Sequence, residues 1–106
     1  MSDADVTSLA MRWFGAMQAG HVDRSQYASI YAAQITDQSV VEMSKTLNRY
    51  GAAPLRAEIV QNRTSGDQTF YVVKFIFPRG DATSLLFGFD TRGKITGIAI
   101  GGLAGD

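Results

Sequence analysis

The stretch QTFYVVKFIFPRGDATSLLFGFDTRGKITGIAIG, Gln68 to Gly101, decides the fold. It divides into three runs of strand length, Phe70–Phe77, Thr83–Phe89 and Lys94–Gly101, rich in branched and aromatic residues and separated by turn residues. The first run is apolar on both faces except at Lys74, so the sheet needs cover on each side. If Arg79-Gly80 is a two-residue hairpin turn, Phe70 lies opposite Phe89, Val72 opposite Phe87, Val73 opposite Leu86 and Lys74 opposite Leu85. In Asp90-Thr91-Arg92-Gly93 an aspartate opens the turn and a glycine closes it with an expected positive φ. That turn sets Phe89 opposite Ile95 and Leu86 opposite Ile98.

Working outward, Pro54 marks a change of period from about 3.6 to 2. Leu55, Ala57 and Ile59 alternate with Arg56, Glu58 and Val60, a half-polar pattern suited to a sheet edge, followed by a turn at Thr64-Ser65-Gly66-Asp67. Before Pro54 the pattern is helical. Val6, Leu9, Ala10, Trp13, Phe14 and Met17 form one stripe of a helix over about residues 3–19, capped by Ser2 or Asp3 and stopped at Gly20. Asp23, three residues before Gln26, starts a shorter helix through about Tyr31, on which Tyr27, Ile30 and Tyr31 share a face. A third helix, capped by Thr36 or Asp37, runs through Val40, Val41, Ser44, Leu47 and Tyr50 to a stop at Gly51, with Lys45, Asn48 and Arg49 toward solvent.

This order predicts a single α+β domain over residues 1–106, three N-terminal helices packed on a curved four-stranded antiparallel β-meander. A length of 106 residues with 45% hydrophobic content supports one modest core. Ten basic and ten acidic residues give no net charge and form no like-charged block, which argues against binding nucleic acid or an anionic membrane surface. No apolar run approaches the roughly 20 residues that span a bilayer. The start, Met1-Ser2-Asp3-Ala4-Asp5, is polar and acidic, so the chain reads as cytoplasmic as written, or periplasmic or exported if a leader was removed.

The sequence limits the chemistry. Without cysteine there is no thiol nucleophile or thiolate metal site, and His21 alone cannot build an imidazole-rich one, so neither metal nor cofactor is expected. Gly101-Gly102 is not followed by a helix and is no phosphate loop. Lys74 is the discordant residue. A charge on a core face must be paired, neutralised or aimed at a cavity. It either snorkels or pairs with a carboxylate such as Glu58 on a partly open face, or points into a helix–sheet cleft lined also by Tyr27, Tyr31 and Tyr50. Trp13 is either the largest core residue or a ligand platform.

The segments Trp13–Gly20 (WFGAMQAG), Asp23-Arg24-Ser25, Leu47–Pro54 (LNRYGAAP) and Phe89–Gly97 (FDTRGKITG) resemble the small uncharacterised bacterial branch of the NTF2-like superfamily. The likeness spans nearly the whole chain. It implies a cystatin-like α+β cone whose bent sheet wraps the helices and leaves a pocket at the wide end. Some members of that superfamily are ketosteroid isomerases, dehydratases or hydrolases, and others only bind ligands or partners. The isomerase pattern has a tyrosine in the first helix, where this chain has Trp13 and Phe14, and an aspartate base on an early strand, where this chain shows no clear strand. The members it resembles are found alone or attached to exported serine-hydrolase or penicillin-binding-type proteins, so the resemblance offers an exported hydrolase as one candidate partner. The reading is therefore a non-catalytic domain that binds a small apolar ligand or a partner, with Trp13, Tyr27, Tyr31, Tyr50 and Lys74 as pocket residues. An outer sheet face left uncovered by three helices is expected to form a homodimer. The alternative is a small pocket enzyme using acid–base chemistry, with Lys74 or an acidic residue at work and tyrosines as donors.

Overall fold

Ser2 sets the first helix. Its hydroxyl accepts from the Asp5 backbone amide while the Asp5 carboxylate accepts from the Ser2 amide, both at 3.1 Å, a reciprocal cap. From it runs α1, Asp3–Gln18, with the predicted stripe from Val6 to Met17 all buried. These are features of a computed structural model of the protein, which describes residues 2–100; the expected end of the last strand at Gly101 and the fraying of the tail beyond it lie outside the described residues.

The second helix differs from expectation. Asp23 does cap a turn, but only a 3-10 turn at Arg24–Gln26, after which Tyr27 is extended and α2 occupies Ser29–Ala32. A tertiary contact interrupts the helix. The Ala28 amide donates to the Ile95 carbonyl at 2.8 Å, and Tyr27 makes an isolated parallel bridge with Ile95. That strand-like bond holds Tyr27 out of the helical conformation. Next, α3 spans Asp37–Leu47 behind a Thr36–Ser39 capping box and tightens into a 3-10 turn at Asn48–Tyr50 before Gly51. Its buried face carries Val40, Leu47 and half-buried Met43, whereas Val41, read from sequence as part of the stripe, is 52% exposed. Asn48 is exposed, as expected, and its amide also donates to the Gln18 carbonyl at 2.9 Å, which helps tie α3 to α1.

Four strands follow, β1 Arg56–Ser65, β2 Gln68–Ile76, β3 Ala82–Phe89 and β4 Ile95–Ile100, in one antiparallel sheet of order β1-β2-β3-β4. The sheet is open, and β1 is an edge, as its half-polar alternation predicted. It is longer than expected, because Thr64 and Ser65 pair with Thr69 and Gln68 and leave only Gly66-Asp67 in the turn. The β2–β3 register is shifted by one from the expected pairing: Thr69 opposes Phe89, Val72 opposes Leu86, Val73 opposes Leu85 and Lys74 opposes Ser84. Pro78 is the reason. Its fixed φ suits the second position of a turn closed by the Gly80 amide on the Phe77 carbonyl at 3.0 Å, and Gly80 then takes φ +90°. The result is a three-residue connection, Pro78-Arg79-Gly80, with Phe77 bonded to Asp81.

The β3–β4 turn follows the sequence. Asp90 Oδ1 accepts from the Arg92 and Lys94 amides at 2.9 Å, Gly93 has φ +79°, and Phe89 opposes Ile95. Beyond it a bulge between Gly88 and Phe89 moves Leu86 opposite Ala99 rather than Ile98. Gly88 fits that bulge because an added Cβ would lie 2.9 Å from Thr96 Oγ1 and 3.0 Å from the Phe70 ring.

The inner sheet face, with Val73, Phe75, Leu85, Phe87 and Ile95, packs on α1 and α3. Phe14 sits 4.5 Å from Phe75 and 5.6 Å from Phe77, and Trp13 meets Phe87 edge-on at 5.4 Å between ring centroids. Alternation sends Phe70, Val72, Lys74 and Leu86 to the opposite face.

Candidate functional site

Three of the residues marked from sequence come together. Trp13 from α1, Tyr27 from the extended link and Tyr31 from α2 line a cavity of about 120 Å³. Met17 of α1 and Ile98 of β4 add apolar wall, and α3 closes the remaining side with Val40 and Met43. The Trp13 indole N–H donates to Tyr27 Oη at 2.9 Å in a buried hydrogen bond, and the Tyr27 and Tyr31 rings meet edge-to-face at 5.4 Å. Trp13 is thus both core residue and cavity wall.

The local chain explains how the tyrosines reach this place. Arg24 donates from both terminal guanidinium nitrogens, to the Ala32 carbonyl at 2.8 Å and the Ile35 carbonyl at 3.0 Å, and so closes the end of α2 over its own turn. Lys94 Nζ donates to the Ser25 carbonyl at 2.7 Å and fastens that turn to the sheet. With the Tyr27–Ile95 bridge, these bonds fix both phenols relative to β4.

Burial pushes the Tyr27 phenol above its ordinary value, while the indole N–H that it accepts acts in the opposite direction. Burial raises the Tyr31 phenol as well, opposed by the Ile98 backbone amide. Both are therefore neutral hydroxyls at physiological pH. Ser39 also borders the cavity, but its hydroxyl donates to the Thr36 carbonyl at 2.8 Å in the helix cap.

Compared with protein-family models, curated proteins and solved structures, the chain matches none of them.

Two of the expected residues stand apart from the cavity. Tyr50 stacks flat on Phe77, with centroids 4.3 Å apart, and belongs to the other end of the core. Lys74 is on the outer sheet face between Glu58 of β1 and Ser84 of β3, so it does not enter the helix–sheet cleft. Strand alternation is the physical reason, since Val73 and Phe75 on either side of it point inward and are fully buried. Glu58 stands opposite Lys74 in the strand register, but its carboxylate pairs with Arg56 Nε at 3.1 Å, and among the described residues no ion pair joins it to Lys74. Met43 and Ile98 were missed as site residues. Met43 shares the Val40–Leu47 helical face and could have been found by preferring that spacing to Val41. Ile98 could not, because its place beside Tyr31 depends on the β4 bulge.

Proposed function

We propose that this chain is a non-catalytic domain of NTF2-like type that binds a small, largely apolar ligand between its helices and β4. The observation that carries this reading is the cavity of about 120 Å³ walled by Trp13, Tyr27, Tyr31, Met17, Met43 and Ile98. Its scale approaches that of an engineered apolar cavity of about 150 Å³ that takes up benzene. Its walls are apolar, phenolic and hydroxylic, a composition that favours binding over acid–base turnover. Titrating toluene into isotopically labelled protein tests the reading. The methyl signals of Met17 and Met43 and the Trp13 indole signal should move together and saturate; shifts confined to other surfaces would sink it.

The outer sheet face supports a second contact, with another copy of the chain. Leu86 is half-buried and the next strand adds the exposed Ala99 to the row, while Val72, opposite Leu86, is already covered within the chain. Beside them a shallow furrow of about 240 Å³ is floored by the Gly88–Gly97 pair and bounded by Phe70 and Leu86. The face is not apolar throughout, as the strand pattern first suggested, because Glu58, Lys74 and Ser84 form a polar row across it. A homodimer seated on the apolar rows would appear in sedimentation at high micromolar concentration and dissociate in Leu86→Glu. A wild-type chain that stays monomeric there removes this part of the reading.

A further inference from the structure

The cavity contains a hydrogen-bond capability that the protein itself leaves unused. An indole nitrogen is a donor only, so in the 2.9 Å contact Tyr27 Oη must accept from Trp13. The Tyr27 proton is then available for another bond. Among the described residues no acceptor takes it, and the Tyr27 side chain is 95% shielded from solvent, being 5% exposed. A buried hydroxyl with its donor unfilled, on a residue that lines the cavity, is an orienting group for something that occupies it.

We infer that the occupant is a small, uncharged, planar ring compound with one hydrogen-bond acceptor, a carbonyl oxygen being the representative group, and that Tyr27 donates its phenolic proton to that acceptor. The inference rests on reading the cavity as a ligand site. Each limit on the ligand comes from a feature of the wall. No side chain lining the cavity carries a formal charge, so a carboxylate or ammonium would lose its hydration without a counter-ion. The volume of about 120 Å³ limits the compound to about one ring with a short substituent, and Met17 and Met43 can adjust their flexible side chains around its outline. The Trp13, Tyr27 and Tyr31 rings offer edges and faces suited to an aromatic plane. Burial keeps the Tyr27 donor protonated.

The indole signal of Trp13, the sole tryptophan, gives a direct readout because its N–H is bonded to Tyr27. Acetophenone and α-methylstyrene have the same outline and differ in C=O against C=CH2, so the pair isolates the acceptor; benzoate adds charge. In the full chain, acetophenone should bind about two- to tenfold more tightly than α-methylstyrene, the net worth of one neutral hydrogen bond. Benzoate should bind weakest. The preference should vanish in the double variant Trp13→Phe/Tyr27→Phe, where neither the phenol nor the indole N–H that its loss would free can donate. It should persist in Tyr50→Phe, whose ring stacks on Phe77 outside the cavity. The Met17 and Met43 methyl signals report binding in the double variant, and circular dichroism would confirm that the variants are folded. If the two ketone-shaped compounds bind equally, or benzoate binds tightest, the acceptor assignment is overturned while the ligand site stands. A preference kept in the Trp13→Phe/Tyr27→Phe double variant, or lost in Tyr31→Phe, overturns the donor assignment. If no compound moves the indole signal, the ligand-site reading fails and takes this inference with it.

Discussion

Trp13 and Phe14 are neighbours in sequence, yet they serve two ends of the core that differ in kind. Phe14 is fully buried among Phe75, Phe77 and the inner faces of β2 and β3, an end filled by rings in close contact. Trp13, about 100° further round the helix, meets Phe87 on one side and on the other forms the wall of a cavity bounded by phenols and methionines. One helix turn thus supplies both a packed end and an incompletely filled one. The packed end can support the shape of the other, since a cavity left open in the core has a cost of its own.

The strongest way to break this contrast is to open the packed end. Phe14→Ala removes a ring from a site with no solvent exposure, and large-to-small core changes of this type cost about 3–5 kcal/mol. For a domain of this size that is a large part of the total stability. Denaturant titration should show the loss in the midpoint. A cost under about 1.5 kcal/mol would mean that neighbouring rings refill the gap, and that the two ends are more alike than the packing indicates.

At the cavity end a polar contact matters most. Tyr27→Phe deletes the acceptor of a buried indole N–H and should cost about 1–3 kcal/mol. Removing both partners, with Trp13→Phe added, should show a coupling energy because the donor no longer stands unpaired. Strict additivity in that double-mutant cycle would deny the hydrogen bond any role in holding the cavity open.

Alkaline pH sharpens the same contrast. The Tyr27 and Tyr31 phenols lie above their ordinary value of 10.0 in the folded state, so the folded protein binds those protons more tightly than the unfolded chain. Their contribution is fully present below about pH 10 and is lost as pH rises through the raised folded values. Thermal stability should therefore decline above pH 10, and the decline should be shallower in Tyr31→Phe. An unaltered alkaline profile in that variant would place Tyr31 in contact with solvent rather than in the cavity wall.

How far the sequence reveals these ends depends on whether local or tertiary forces decide each residue. The α1 stripe was legible in full because an unbroken spacing of three and four and a reciprocal serine–aspartate cap agree. The helix–sheet order and the Asp90–Gly93 turn were legible for the same reason. The β2–β3 register was not, because the sequence reading placed the turn at Arg79-Gly80 and gave Pro78 no part in it, and one residue of loop length moves every pair. Of the site, Trp13, Tyr27 and Tyr31 were named as one pocket, but together with Tyr50 and Lys74, which stand apart from it. The meeting of the first three depends on Tyr27 leaving a helix to bridge Ile95, a contact between segments far apart in sequence that no local pattern carries.

Lys74 offers the smallest effect and a clean control. Its neighbours Glu58 and Ser84 place it on the outer sheet face, away from both ends of the core. Lys74→Met exchanges a half-buried charge for an apolar side chain of similar length, so the folded chain should change in stability by no more than about 0.5 kcal/mol. Cavity titrations should be unaffected, because the substituted side chain projects from the far side of the sheet. Self-association should strengthen, since the exchange removes the cation from the polar row that divides the apolar rows of that face. A loss of ligand binding in this variant, with the fold intact, would instead couple the outer face to the cavity through β2 and β3. The separation of the two surfaces would then have to be abandoned.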